Sequence, residues 1–249
     1  MNKPYYIKDA LKFRSARREF VVEKIYNFCS QFSDKNERNK KEILLAIEYI
    51  HTSASIVDDI QDYENLRKNE LTYYKRHGYG TSAFASLKLW TDAIKLLSIN
   101  YDIEIVLSYL QKLIFCQEID VGLNSQYKSL YDDYFSISSQ KISNELELIY
   151  YLSFPKEKYE SHKMKGSLLT EIGKLIQFID DKIDEFVNFE QNLLNKDEVF
   201  RFQLSLPFIL ANKYSNFSAD YFFKDFSKGE ALCIFKKYID NTEFFWHYR

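Results

Sequence analysis

The chain has 249 residues, 46% of them hydrophobic and 28% charged, with a formal net charge of −2. That is enough apolar material for one ordinary domain, expected over residues 1–249, with a sizeable buried core. Six glycines and three prolines are about a third of the usual share, which excludes turn-rich β sandwiches, collagen-like repeats and low-complexity linkers, and the near-neutral charge removes the electrostatic basis for binding nucleic acid or an anionic membrane.

In chain order, residues 1–20 carry charges throughout and lack the apolar stretch of a secretory signal. Helical spacing begins over 16–31. The mixed-charge stretch 34–41 reads as a solvated loop. Residues 40–63 place Ile43, Ala46, Ile47, Ile50, Ala54 and Val57 at i, i+3 and i+4, which predicts an amphipathic helix. The breaker His77-Gly78-Tyr79-Gly80 precedes a run over 83–98, and further helical runs follow at 102–123 and 137–152. Phe154-Pro155-Lys156 interrupts the pattern, since a residue before proline is pushed out of the α region. Helical spacing resumes over 164–190 and 202–214. No alternation bounded by hairpin turns is visible, so the expectation is an all-α bundle of eight to eleven helices. No run of about 18 apolar residues predicts a transmembrane helix. The separated thiols Cys29, Cys116 and Cys233 form no metal-ligand pair and suit a reducing, cytoplasmic setting. The 21 Phe and 20 Tyr read mainly as core, and the aromatic end 244–248 as packing or an oligomer interface.

Two segments share one acidic pattern: Asp58-Asp59-Ile60-Gln61-Asp62 and Asp180-Asp181-Lys182-Ile183-Asp184. Positions i and i+4 share a helix face, so Asp58 stands over Asp62 and Asp180 over Asp184. Like charges stacked this way repel by a few tenths of a kcal/mol per pair, and a cation relieves both stacks. Hard oxygen donors without His or Cys select Mg²⁺, which binds through a few carboxylates completed by substrate phosphates. Ile56 and Val57 before the first motif, and Ile176, Phe178 and Ile179 before the second, make an ordinary solvated acidic face the weaker reading. Arg67-Lys68, Lys141 and Arg17-Arg18 are spaced to answer phosphate charge.

These residues resemble the trans-isoprenyl diphosphate synthase (polyprenyl synthetase) family. That family reads E-x-I-H-T-x-S before its first aspartate motif, as Glu48-Tyr49-Ile50-His51-Thr52-Ser53-Ala54-Ser55 does here. It also has an RRG triplet near Arg67-Lys68-Asn69, GQ-x-x-D near Cys116-Gln117-Glu118-Ile119-Asp120, and LG-x-x-FQ-x-x-DD-x-x-D near Ile172-Gly173-Lys174-Leu175-Ile176-Gln177-Phe178-Ile179-Asp180-Asp181. Its TLP is matched by Ser205-Leu206-Pro207. The resemblance implies an isoprenoid-synthase-type helical bundle around a central apolar cavity, and a homodimer. It implies that Asp58, Asp62 and Asp180 ligate three Mg²⁺ ions on an allylic diphosphate, with Asp59 and Asp184 as near partners. Arg67 and Lys141 would hold that diphosphate and Gln177 would support it, while His51 and Lys68 would sit on the diphosphate of isopentenyl diphosphate. Ser53 and Ala54, small residues on the turn above Asp58, would leave room for a longer prenyl chain.

The departures cluster on the second substrate. The family's GGK-x-x-R aligns with Ser15-Ala16-Arg17-Arg18-Glu19-Phe20, so Phe20 stands in place of an arginine. The lysine expected before TLP is displaced, and Lys196, Arg201 or Gln203 could serve. The implied activity is Mg²⁺-dependent condensation of an allylic diphosphate with isopentenyl diphosphate. A class I terpene cyclase, a peptide-modifying prenyltransferase and a non-catalytic synthase subunit are the alternatives on the same fold.

Overall fold

The computed structural model describes residues 9–10, 21–31, 39–67, 69–120, 130–136, 140–154, 159–183, 188–202, 209 and 224–241. Among these the chain is helical apart from two short antiparallel strand pairs, so the all-α expectation holds. Helix α1 (Val21–Ser30) precedes the long α2 (Lys40–Gln61), which buries Ile43, Ala46, Ile47, Ile50 and Ile56. Strands β1 (Leu66–Arg67) and β2 (Glu70–Leu71) follow, then the short helix α3 (Tyr73–His77) and helix α4 (Tyr79–Leu97). Gly78, at φ +80°, ends one helix and starts the next, a backbone turn that side chains resist.

Helix α4 lies along α2 because its inward side is small: Ser82, Ala85, Ser86 and Ala93 are buried beside Leu89 and Leu97. The close approach is sealed by the Ser53 and Ser86 hydroxyls, 2.5 Å apart. Next come α5 (Ile103–Asp120), α6 (Leu130–Ser136) and α7 (Lys141–Leu152). Helix α7 is buried along most of its length, packing on α1, α5 and α8 (Tyr159–Lys182). Ile43, Ile47, Ile56, Leu89, Leu97, Tyr73, Tyr151 and Phe154 are the bulky, fully enclosed members of this core. A second aromatic group, Phe189, Phe200, Phe202, Phe226 and Phe235, joins α9 (Phe189–Asn195), β3 (Val199–Arg201), β4 (Asp225–Ser227) and α10 (Lys228–Asn241).

The helical runs expected over 16–31, 102–123 and 137–152 are present wherever those residues are described. The run over 164–190 is corrected: α8 ends at Lys182, and Asn188 starts a separate helix at Phe189. Pairs of two or three residues, such as β1–β2 and β3–β4, are too short for alternation to register in sequence. The run at 202–214 lies largely outside the described residues. No described helix is long and apolar enough to cross a membrane.

Helices α7 and α8 run antiparallel, with Ser143 Oγ donating to Thr170 O at 2.6 Å and Glu147 bonded to Thr170 Oγ1. Gly173 makes their approach possible. A Cβ there would meet Ser143 Cα and lie 2.5 Å from its backbone nitrogen and 2.6 Å from its Oγ. Gly173→Ala therefore forces the helices apart. The expected cost is about 2 kcal/mol, a melting temperature about 4–8 °C lower for a chain of this size, read by thermal unfolding followed by circular dichroism.

Candidate active site

The first acidic motif closes α2. Asp58 and Asp59 fall in its last turn, and Asp62 caps it with its N–H bonded to Asp58 O at 2.9 Å. Tyr63 takes φ +55°, which turns the chain sharply away. Glu64 then donates its N–H to Asp59 O at 3.0 Å and bridges to Lys196. The β1–β2 hairpin brings Arg67 back over the end of the helix. Asn69 holds the left-handed φ of +65° in that turn. Asparagine tolerates this conformation, which accounts physically for an asparagine at the third position of the basic triplet.

Three cations from three elements converge on these acids. Arg67 binds Asp59 Oδ1 through Nε and Asp58 Oδ2 through Nη2 at 3.2 Å. Lys141, the first residue of α7, reaches Asp58 Oδ1 at 3.3 Å, where Gln117 of α5 also donates at 3.1 Å. Lys196, just past α9, is nine-tenths buried and lies 3.7 Å from Glu64 Oε1. Two further bonds fasten that segment: Asn65 N–H to Asn195 O at 2.6 Å, and Asp197 N–H to Tyr63 O at 2.7 Å.

The three carboxyls respond differently to this setting. Burial pushes Asp58 up, but Lys141, Arg67 and the Gln117 hydrogen bond outweigh it and hold the carboxyl well below the usual range. Burial drives Asp59, with no exposed surface, up to about 7 against the pull of Arg67. Burial and the neighbouring Asp58 charge raise Asp62 well above the usual range, and Lys196 offsets this only in part.

The second motif ends α8. Asp181 accepts from Tyr134 of α6 at 2.6 Å and from Gln177 at 2.8 Å. Asp180 is exposed, as are Ile176 and Ile179 before it. The antiparallel register fixes where the motif lies. Gly173 meets Ser143 near the start of α7, and Asp180 is seven residues, about 10 Å, further along α8 in the direction of that start. Lys141 at the same start touches Asp58, so both motifs occupy one end of the bundle. Among the described residues no group of three or more His, Cys, Asp or Glu side chains is gathered closely enough to hold a metal ion by itself.

The donors present fit Mg²⁺ nonetheless. They are hard oxygens, and Asp59 Oδ2 is fully buried without a hydrogen-bond partner. Magnesium ordinarily completes its shell with water and substrate phosphate rather than from a full protein cage.

Of the expected residues, Asp58, Asp59, Asp62, Arg67 and Lys141 are brought together. Gln177 lies on Asp181 of the second motif. His51 pairs through Nδ1 with Glu145 Oε1 of α7 at 2.6 Å, so a carboxylate stands beside the residue expected to meet a second diphosphate. Arg17, Arg18, Lys68 and Asp184 lie outside the described residues. The expectation that Ser53 opens room for a chain is corrected: it is fully buried against Ser86 of α4, and Ala54 is exposed. The sequence reading assigned no role to Gln117, Tyr134, Glu145 or Glu64. Gln117 alone had a signal, as the glutamine of the GQ-x-x-D match.

The polyprenyl synthetase family profile matches residues 15–221. The chain is similar to the sesterterpene synthase btcA of Neocamarosporium betae, at 25% identity over 158 residues, which is 61% of this chain and 21% of that protein. It thus spans about a fifth of that relative's length. Heptaprenyl diphosphate synthase from Staphylococcus aureus superposes with a TM-score of 0.70 at 18% identity, covering 96% of this chain and 84% of that one. A geranyltransferase from Helicobacter pylori, complexed with magnesium and isoprenyl diphosphate, superposes with a TM-score of 0.55 at 20% identity over 77% of this chain and 70% of its own.

Where Asp59 carries a proton near neutral pH, a divalent ion must displace it, and the upward shift of Asp62 acts in the same direction. Binding of Mg²⁺ in the presence of inorganic diphosphate is therefore expected to release protons and to tighten as pH rises through about 7, since only the deprotonated carboxyls ligate. Calorimetric titration at pH 6 and pH 8, in buffers of different ionisation enthalpy, reads both effects.

Proposed function

The chain belongs to the polyprenyl synthetase family, and from that premise we propose that it is a Mg²⁺-dependent prenyltransferase condensing an allylic prenyl diphosphate with isopentenyl diphosphate. The observation that carries this reading is the convergence of Arg67, Lys141 and Gln117 on Asp58 at the end of α2. In this reading Asp58, Asp62 and Asp180 hold the metal, with Asp59 and Asp184 beside them. Magnesium, when bound, supplies positive charge that stabilises the departing diphosphate.

The protein's own part is positioning, charge and dryness. Asp58, Asp59 and Asp62 would hold the metal, and Arg67 and Lys141 would then be available to bind the phosphate oxygens of the allylic substrate. Gln177 steadies Asp181, and through it the end of α8. The allylic carbon–oxygen bond breaks with its electron pair on oxygen. The remaining cation is kept from water by the apolar bundle until the isopentenyl double bond attacks it. A geranyltransferase of this fold complexed with magnesium and isoprenyl diphosphate supports the choice of ligands.

A second reading has one observation in its favour. Glu145 places negative charge on His51, where a second diphosphate would need positive charge. Cyclisation of a single prenyl diphosphate, or transfer to an acceptor without a diphosphate, suits that pairing.

Asp58→Ala and Asp180→Ala are each expected to lower diphosphate release at least about 10²-fold with helical content unchanged, and excess chelator to abolish it. Dimethylallyl, geranyl and farnesyl diphosphates, supplied with and without isopentenyl diphosphate and followed by product analysis, distinguish the readings. Longer prenyl diphosphates support condensation, and hydrocarbons formed without isopentenyl diphosphate support cyclisation. Full turnover in chelator refutes both.

A further inference from the structure

One short stretch of chain touches both acidic motifs. Tyr134 of α6 donates its hydroxyl to Asp181 Oδ2 at 2.6 Å. Lys141, seven residues later at the first position of α7, reaches Asp58 Oδ1 at 3.3 Å. The two helices are also bonded to each other, since the side-chain amide of Gln140 donates to the carbonyl of Ser136, the last residue of α6. A line of hydrogen bonds therefore runs from the second motif through α6 and the start of α7 to the first motif.

Tyr134 is fully buried. A ring enclosed on all sides cannot swing, so its hydroxyl is a fixed point, and its bond to a charged acceptor is about twice as strong as one between neutral groups. Asp181 receives a bond on each oxygen. Gln177 donates to Oδ1 at 2.8 Å from four residues back on α8 itself, whereas the Tyr134 bond leaves α8 for another helix. Asp180 is the next residue, about 100° around the helix, and is exposed. Whatever holds Asp181 sets the rotation and height of the last turns of α8, and with them the place of Asp180.

We propose that Tyr134 is a positioning residue for Mg²⁺: by holding Asp181 it sets where Asp180 stands relative to Asp58, and so how well the two motifs share metal ions on one diphosphate. This rests on the metal-site reading above. Tyr134 acts through Asp181 and the end of α8, as the hydrogen-bond partners behind metal ligands do, and loss of such a partner costs about 10- to 100-fold in metal affinity.

The test is calorimetric titration with Mg²⁺ in the presence of inorganic diphosphate, beside thermal unfolding without metal. Tyr134→Phe keeps the buried ring and removes only the hydroxyl. Asp181→Asn puts an amide donor where one of the two incoming donors needs an acceptor. Tyr101→Phe is the matched control, because Tyr101 also donates a buried hydroxyl, to Leu152 O at 2.7 Å, at the end of α7 about 16 Å from Lys141. Mg²⁺ affinity is expected to fall about tenfold in Tyr134→Phe and in Asp181→Asn, and still only about tenfold when the two are combined. Tyr101→Phe is expected to lower the melting temperature with Mg²⁺ affinity unchanged. Unchanged affinity in folded Tyr134→Phe or Asp181→Asn, multiplied losses in the double variant, or an equal loss in Tyr101→Phe overturns the proposal and leaves the metal-site reading standing. If Tyr134→Phe does not fold, Asp181→Asn decides alone. A wild type that binds no Mg²⁺ with diphosphate, or Asp180→Ala that binds it as tightly as wild type, overturns the metal-site reading itself, and this proposal with it.

Discussion

Negative charge crowded at the wrong end of a helix organises this structure. Asp58, Asp59 and Asp62 sit in the last turn and cap of α2, with Glu64 just beyond. That is where the aligned peptide dipoles are already negative, so each carboxylate meets the field that disfavours it most. Burial removes the water that would otherwise screen them. Such a cluster persists only if cations come to it, and Arg67, Lys141 and Lys196 come from a hairpin, a helix start and the segment after α9. The demand for counter-charge thereby ties together parts of the chain more than a hundred residues apart. Backbone hydrogen bonds from Asn65 and Asp197 complete the fastening.

The same demand links resting structure to chemistry. Setting three cations against four acids in this buried and half-buried cluster offers little net stability, because desolvation consumes most of what their attraction returns. What the arrangement does supply is a set of basic groups gathered around one cluster of acids. Were these carboxylates to hold a divalent ion, Arg67, Lys141 and Lys196 would be the groups left to meet an anionic ligand. Each substitution in the cluster should therefore be read twice, once in the metal-free fold and once with metal and diphosphate present.

The sequence revealed the helices and the acids but little of their counterparts. Long amphipathic runs such as α2 and α4 announce themselves through spacing, and a repeated DDxxD is uncommon enough to stand out. The fold and the first-motif cluster of Asp58, Asp62, Arg67 and Lys141 were legible for that reason. The β1–β2 and β3–β4 pairs were not, since two or three residues carry no period. The split between α8 and α9 was missed because apolar spacing continues through Asn188 while the backbone stops. Glu145 was hard to see for another reason: a lone charge on a helix is ordinary, and only the fold shows which charge it faces, as it also shows that Lys196, one of three candidates in the sequence, faces Glu64. Size alone says nothing about direction: of the small pair Ser53-Ala54, Ser53 spends its hydroxyl on α4 while Ala54 is exposed.

Helix α7 converts these local facts into a site. At about 100° per residue, Lys141 and Glu145 lie on one side of it, and Ser143 and Glu147 on nearly the opposite side. The first pair meets α2 and the second meets α8. The helix thus meets both acid-bearing helices, through side chains on two of its sides. At its start it presents Lys141 to Asp58 together with the positive end of its own dipole. Gly173 sets how closely α8 follows α7, and Tyr134 on Asp181 holds the far acid.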